Sequence, residues 1–504
     1  MLFLAGRTST LINPGLRSSR LINRVTTMPS NPIPALYAHL FSRRCPGRGA
    51  APVSRRGMLQ TSSTGFGWLA LSALAQERSF GAARSEADRH FAGPAKNVIF
   101  LFMDGGVSHV DSFDPKPALA THEGQPWSGD PNRKWVKSPW KFEQHGDGGM
   151  WVSELFPHIA SCADDIAVIR SMKADLPIHA TGVLLLHTGL NRAGRPSFGS
   201  WVSYGLGSEN QNLPGYVVLS FGHVPVGGME AFGSGFLPTS FEATILKADG
   251  AALDNLLPAS SLSIQSTKLD LLRQQDSDFA AALGGNDEVE SAIRNYELAA
   301  RMQLLVPDVL DETRETKATR ELYGLDDPDQ NTHLYARQCL RARRLVESGV
   351  RFVQINCPYG LSNGTWDQHG GLKAGHEKNA RQTDRAVAGL IKDLKQRGML
   401  DSTLILWAGE FGRTPHAPGP DGRDHHPEGF SVFMAGGGIK GGTTHGATDE
   451  FGVHAVENIC DFHDLHATLL QQCGIDHTKL TYHSGGRDYR LTDVKGRVIR
   501  EVIG

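Results

Sequence analysis

Cysteine is scarce, with six in 504 residues (Cys45, Cys162, Cys339, Cys357, Cys460 and Cys473), and no C-x-x-C pair occurs. Such scatter signals neither a disulfide framework nor a thiolate metal site. A surplus of positive charge is also missing, since 51 Lys and Arg face 53 Asp and Glu for a formal net of −2. Acidic residues are absent from residues 1–75, which hold nine Arg and no Lys, so the chain from Glu77 onward has 42 basic and 53 acidic side chains, a net of −11. That balance excludes a polyanion-binding surface and with it nucleic acid as a partner. No run of roughly 20 apolar residues exists, so no stable membrane span is expected. What is present is 40% hydrophobic residues, 21% charged residues and 57 glycines. This is the composition of a globular, loop-rich chain long enough for one large α/β unit or two to three modules.

Within the acid-free stretch, Ser54-Arg55-Arg56-Gly57-Met58-Leu59 precedes a weakly apolar run, Thr61–Ala75, which is broken by Gly65 and Gly67 and ends Ala73-Leu74-Ala75. A charged n-region, a short apolar h-region and small residues for a peptidase make 54–80 look like a twin-arginine signal peptide. The export machinery that reads such signals is then a partner, and the destination is a bacterial periplasm or cell surface. Residues 1–53 read as a disordered lead or a gene-model extension, with Met28 as an alternative start.

Beyond residue 95, apolar runs end repeatedly in charged loops. Asn97–Met103 stops at Asp104-Gly105-Gly106, and Ile166–Arg170 precedes Pro177–Thr181 and a helical run, Gly182–His187, closed by Thr188-Gly189. Arg351–Cys357 leads to Trp366-Asp367-Gln368-His369, and Thr403–Ala408 opens into Gly409–Pro415. Phe430–Ala435 follows the loop Asp421–Glu428, and a helix is expected over about 378–396, closed by Gly398. Continuous apolar runs of this length read as buried parallel strands, and the βαβα order predicts an α/β fold: a doubly wound, mostly parallel sheet flanked by helices. Residues 210–345, with Gly/Pro-rich loops followed by amphipathic stretches at 288–305 and 333–348, are expected to form an insertion or cap on a 95–504 domain.

Four strand ends carry Asp, Glu or His: Asp104, the Asp367/His369 pair, Glu410, and Asp424-His425-His426. Loops at the C-terminal edge of an open α/β sheet are where ligands bind. Carboxylates and imidazoles together suit one or two divalent ions, Zn or Mn first, with Ca or Mg as further options. A lone strand-end Asp is more often a helix cap than a ligand; four at corresponding positions point to a site. Arg413, close after Glu410, has the geometry to clamp an anionic ester, and a loop-holding salt bridge is the competing reading. Ser108 and His109 are candidates for supporting roles, whereas Asp464, His466 and His483 read as structural.

The strand ending at Asp104 and the run Gln382–Val387 … Gly398–Ile405 resemble the alkaline phosphatase and sulfatase superfamily. More narrowly, MDGGVSHVDSFDPKP, GRPSFGSWVSYGLG, WDQHGG, EFGRTP, GRDHHP and GGGIKGG are similar to the twin-arginine-exported family known as domain of unknown function 1501, over essentially residues 95–504. The resemblance implies an alkaline-phosphatase-like fold and two metal ions around a nucleophile. It places Asp104 on one ion, and Asp367, His369 and His425 on the other, with His426 as runner-up to His425. Glu410 falls where the superfamily has the Asp of Asp-His-Gly, and Phe411 replaces the histidine ligand. The nucleophile position falls on His179, with Thr181 two residues away. No Cys-x-Pro-x-Arg sequence exists, which disfavours a formylglycine sulfatase.

One account makes His179 the substitute metal ligand beside Asp104 and Glu410, with a metal-activated water attacking the ester. Another makes His179 a covalent nucleophile, and a third leaves it capping its helix. The expected function is an exported metal-dependent hydrolase of a small-molecule or glycan phosphate or sulfate ester. The alternative is a degenerate, non-catalytic relative that binds a sulfated glycan or a protein partner at the cell surface.

Overall fold

The computed structural model describes residues 89–250, 252–253, 261–282, 287–358 and 365–504. The twin-arginine segment and the lead before it lie outside the described residues. Residues 80–504 form one compact unit.

Its spine is a nine-stranded sheet. The strands, in chain order, are β1 (Asn97–Phe102), β2 (Ile166–Lys173), β3 (Tyr216–Ser220), β4 (Thr244–Lys247), β5 (Phe352–Asn356), β6 (Thr403–Ala408), β7 (Phe430–Ala435), β8 (Thr443–His445) and β9 (Cys460–Asp461). They lie in the order β8-β2-β7-β6-β1-β5-β3-β4, with β9 also on β2. Pairings β6·β1, β1·β5, β5·β3 and β3·β4 are parallel, as are β8 and β9 with β2; β7 alone runs against its neighbours. The expected doubly wound, mostly parallel sheet is therefore present.

All six residues of β1 and of β6 are buried, because helices cover both faces and leave no polar side to alternate. Ile99, Leu101, Ile405 and Trp407 join one core with Leu340 of α5 (Gln330–Glu347) and Leu390 of α6 (Leu372–Gln396). Phe100, Phe102, Leu404 and Leu406 join a second core with Leu185 of α1 (His179–Thr188), Trp201 of α2 (Phe198–Leu206) and Leu465 of α7 (Phe462–Gln472). In the same chain order, α3 (Leu262–Ala282) and α4 (Asp287–Leu310) fall between β4 and β5 in sequence; α1, α2 and α5–α7 keep the labels just given. Among the described residues, no helix is long and apolar enough to cross a membrane.

The segment 210–345 departs from its expected role as an insertion. It supplies β3 and β4, which extend the sheet beyond β5, and α5, which packs on the sheet. Tyr216-Val217-Val218-Leu219-Ser220 is a buried run short enough to be masked by Pro214-Gly215 before it and Gly222 after it. Only α3 and α4 retain the character of an added hairpin.

Because β1, β2, β5 and β6 point the same way, their C-terminal ends open onto one edge. That edge receives Asp104, the Pro177–His179 turn, Asp367/His369 and Glu410.

Candidate metal centre

Each functional side chain sits on a turn that the sheet fixes. Gly105 and Gly106, both at positive φ (105° and 78°), turn the chain sharply after Asp104. A Cβ on Gly105 would lie 2.7 Å from the Trp366 amide nitrogen, so only glycine lets the Asp104 and Asp367 loops approach this closely. Helix α1 starts at His179 itself, one turn earlier than the apolar run suggests, with Ile178 as its N-cap. His425 and His426 pair antiparallel with Gly412 and Arg413 in a two-residue ribbon.

Three imidazoles are oriented in the same manner. His179 Nδ1 lies 2.5 Å from Glu410 Oε1, and His369 Nδ1 lies 2.8 Å from Asp424 Oδ1. His425 Nδ1 lies 2.9 Å from the carbonyl oxygen of Pro177. With each Nδ1–H donated to an oxygen, each Nε2 keeps its lone pair for another partner. Those Nε2 atoms surround Asp367 Oδ1 at 3.3 Å (His179), 3.1 Å (His369) and 3.2 Å (His425), and the His369 and His425 Nε2 atoms are 2.9 Å apart. Two acceptor lone pairs at that distance repel unless a proton or cation lies between them. Ligand atoms of His179, Asp367 and His425 all fall within 4.8 Å of one another. His179 Nε2 is buried and, although close to Asp367, is not aligned to hydrogen-bond with it. An orphaned imidazole nitrogen beside a carboxylate and two further imidazoles is a donor set that fits a divalent ion of the zinc or manganese kind.

The surrounding charge also suits a divalent cation. Asp104 and Glu410 are buried, and Glu410 accepts the Gly105 N–H on both oxygens at 3.1 and 3.2 Å. Burial, reinforced by the neighbouring Glu410, pushes the Asp104 carboxyl up to about 7. Burial would lower His179, but the Asp367 and Glu410 carboxylates outweigh it and raise the imidazole to about 9. Asp367 is held well below the usual carboxylate range, its burial outweighed by His179, His425 and Arg413. Among the described residues, guanidiniums pair with two of the four carboxylates here, Arg413 with Asp367 and Arg133 with Asp424.

Three of the expected residues act otherwise. Arg413 is fully buried, and four of its five N–H donors are engaged: Nε donates to Gly106 O (3.0 Å), Nη1 to Arg423 O (3.2 Å), and Nη2 to Gly105 O and to Asp367 Oδ1 (2.6 Å). It ties three loops together and has no face left for an ester. Thr181 Oγ1 donates to Ile178 O at 2.9 Å, bonding the first turn of α1 outside the cluster. His426 points away from its neighbour, as adjacent residues on a strand must; its Nε2 bonds Val453 O at 2.5 Å and its ring stacks on His109. Burial, then the nearby His109, pushes His426 down to about 3. His109 therefore belongs to that second pair and not to the cluster. Phe411 packs its ring 4.8 Å from that of His179 and 4.9 Å from that of His425, steadying both imidazoles.

Asp424 and the Pro177 carbonyl are the parts of the site not named as such from sequence. Asp424 stood beside His425 in the Asp-His-His run, and its offset from His369 is a property of the loop path. The buried pair Arg423–Asp111 anchors that loop, with Nε 2.6 Å from Oδ2 and Nη2 3.1 Å from Oδ1.

Residues 95–503 match the family model described as "Protein of unknown function (DUF1501)". The chain belongs to the DUF1501 family. Within that family's span fall all of the imidazoles and carboxylates of the cluster. No curated protein matches the chain. Solved structures similar to this DUF1501 chain include a 2-O GAG sulfatase, 10% identical with a TM-score of 0.37, covering 82% of this chain and 74% of that one. A protein in the alkaline phosphatase superfamily from Vibrio parahaemolyticus is 12% identical, with a TM-score of 0.33 and coverage of 77% and 68%. A phosphonate monoester hydrolase from Silicibacter pomeroyi is 11% identical, with a TM-score of 0.33 and coverage of 81% and 76%. None of these likenesses assigns a residue of the cluster.

Proposed function

We propose that this DUF1501 chain is an exported, metal-dependent hydrolase of a phosphate or sulfate ester, working in a periplasm or at a cell surface. The observation that carries the proposal is the convergence of His179, His369 and His425 Nε2 on Asp367 Oδ1, each imidazole with its Nδ1 directed at an oxygen. Export is supported by the Ser54–Leu59 twin-arginine sequence alone.

His179, Asp367, His369 and His425 would hold the ion, with Asp104 after β1 and Glu410 after β6 as neighbouring carboxylates. A bound divalent cation supplies Lewis-acid polarisation of the ester. Glu410 orients His179, and Asp424 orients His369 while Arg133 holds Asp424 in turn. His179, with Nδ1 on Glu410 and Nε2 facing Asp367, is better placed as a ligand than as a covalent nucleophile. Orienting groups of this kind raise ligand basicity and fix the tautomer, and removing one typically costs 10–100-fold in affinity or activity.

Phe411 favours a second reading, because an apolar ring stands where the superfamily resemblance expects a ligand: a chain that binds an anionic glycan or a protein partner without turning it over. Elemental analysis of the purified protein, paired with turnover of aryl phosphate, sulfate and phosphonate esters, separates the two. The hydrolase reading expects near-stoichiometric zinc or manganese and turnover that disappears in Asp367→Asn. Stoichiometric metal with no turnover of any of these esters leaves the binding reading, and absence of metal from protein folded in its presence overturns both the centre and the hydrolase.

A further inference from the structure

Arg170 lies on β2 after two residues, Val168 and Ile169, that are fully buried in the core. Among the described residues, no hydrogen bond or ion pair engages its guanidinium, and its Nε is buried without a partner. Arg170 itself is half-buried, and a guanidinium with a buried, unpartnered Nε is costly unless an anion meets it. The nearest carboxylate, Asp114, is already occupied, with Lys116 Nζ 3.0 Å from Oδ1 and the Thr448 hydroxyl on Oδ2. Burial lowers the Arg170 pKa, and Asp114 only partly offsets the effect.

Arg170 opens into a cavity of about 560 Å³, whose wall also includes Lys116, Lys137, Ser138, Phe142 and Trp151. Its lining therefore presents three cations against one carboxylate, on a chain that is acidic beyond residue 76. Lys137 meets Glu123 at 2.8 Å, but both side chains are about half exposed, so that pair neutralises little. Trp151 is 38% exposed, unusual for a large aromatic, and gives the cavity a flat apolar wall. A guanidinium suits the planar, bidentate recognition of a carboxylate, sulfate or phosphate.

We infer that this cavity is a second binding site, sharing no residue with the imidazole–carboxylate cluster, for an oxyanion carried on a ring: Arg170 takes the acidic group, Lys137 adds positive charge at the wall, and the ring lies against Phe142 and Trp151. An aryl and a sugar ring present the same chemistry here, a flat or amphipathic body with one acidic substituent.

Calorimetric titration of the full chain with inorganic sulfate, phenyl sulfate and glucose 6-sulfate tests this. Both ring-bearing anions, or one of them, should bind at least tenfold more tightly than inorganic sulfate, and whichever binds identifies the ring. Arg170→Met should weaken that binding tenfold or more, whereas Asp367→Asn, in the other cluster, should leave it unchanged. Should Arg170→Met fail to fold, the exposed substitutions Lys137→Met and Trp151→Ala carry the test, each expected to lower affinity several-fold, the former also flattening the salt dependence. Parent-like binding in the Arg170 variant, or in both substitutes, overturns the inference, as does an inorganic sulfate affinity equal to that of the ring-bearing ions. Loss of binding in Asp367→Asn would assign the ligand to the other cluster and likewise overturn it.

Discussion

Replacing Arg423 with Met should expose how the loop that carries Asp424 and His425 is held. Arg423 and Asp111 are both fully buried, and their bidentate contact fixes the loop that carries Asp424 and His425. The Arg423 amide also donates to Gln368 O at 3.0 Å, and its own carbonyl receives Arg413. Removing the guanidinium leaves Asp111 uncompensated in the interior, a change that costs about 3–5 kcal/mol. Unfolding entropy of about 2.1 cal/mol/K per residue over roughly 400 residues is about 0.8 kcal/mol/K, so Tm should fall by about 4–6 °C. Differential scanning calorimetry reads that shift, and elemental analysis should find a parallel loss of metal. Coupling Arg423→Met to Asp111→Leu removes the stranded charge and should recover at least half of the lost stability. The pair also sets an acid limit. Burial would raise the Asp111 carboxyl, but Arg423 outweighs it and holds the folded value below the ordinary one. The unfolded chain then binds more protons, so this stabilisation is complete above about pH 5 and fades as the pH falls through the folded value. A single Arg423→Met variant melting within about 1 °C of the parent would refute the cost assigned to the unpaired carboxylate.

His425→Gln should reduce bound metal at least tenfold while His426→Gln leaves it unchanged, a contrast between adjacent residues that elemental analysis reads directly; equal losses would contradict the orientation described for the ribbon. Gly105→Ala forces a Cβ to 2.7 Å from the Trp366 nitrogen at a φ of +105°, and overpacking of this kind should cost about 1–3 kcal/mol in chemical denaturation; an unchanged midpoint would mean that the Asp104 and Asp367 loops are free to separate. Chelation should lower the melting temperature, since an ion at a thousandfold excess over its Kd contributes about 4 kcal/mol; a thermal scan indifferent to chelator would argue against an ion at the cluster.

The buried strands were legible because two-sided burial demands unbroken apolar runs, and Asn97–Phe102 and Thr403–Ala408 stand where the pattern put them. Their parallel order then brought Asp104, Asp367 and Glu410 to one edge. Tyr216–Ser220 was lost because five residues between Gly/Pro turns resemble a loop as much as a strand. Sequence left Arg413 open between clamp and loop-holding salt bridge, and its contacts match the second, because the carbonyls that absorb it come from Gly105, Gly106 and Arg423. Thr181 was offered only as standing two residues from the position that the resemblance gives the nucleophile, and a hydroxyl in the first turn of a helix readily bonds a carbonyl such as that of Ile178. Asp424 and Pro177 act by orienting a ring, a role defined by loop geometry and carried by no residue-type signal.

The donors come from far apart: 231 positions separate His179 from Glu410, and 58 separate Asp367 from His425. An unfolded polypeptide holds no such quartet in proximity, so it competes poorly for the ion, and nearly all of the free energy of uptake accrues to the native state. Under the proposed metal centre, loading would therefore come late, once the chain through His425 has been synthesised and the sheet has closed. Bound metal would then gauge finished folding, and a truncated or misassembled copy would bind little of it.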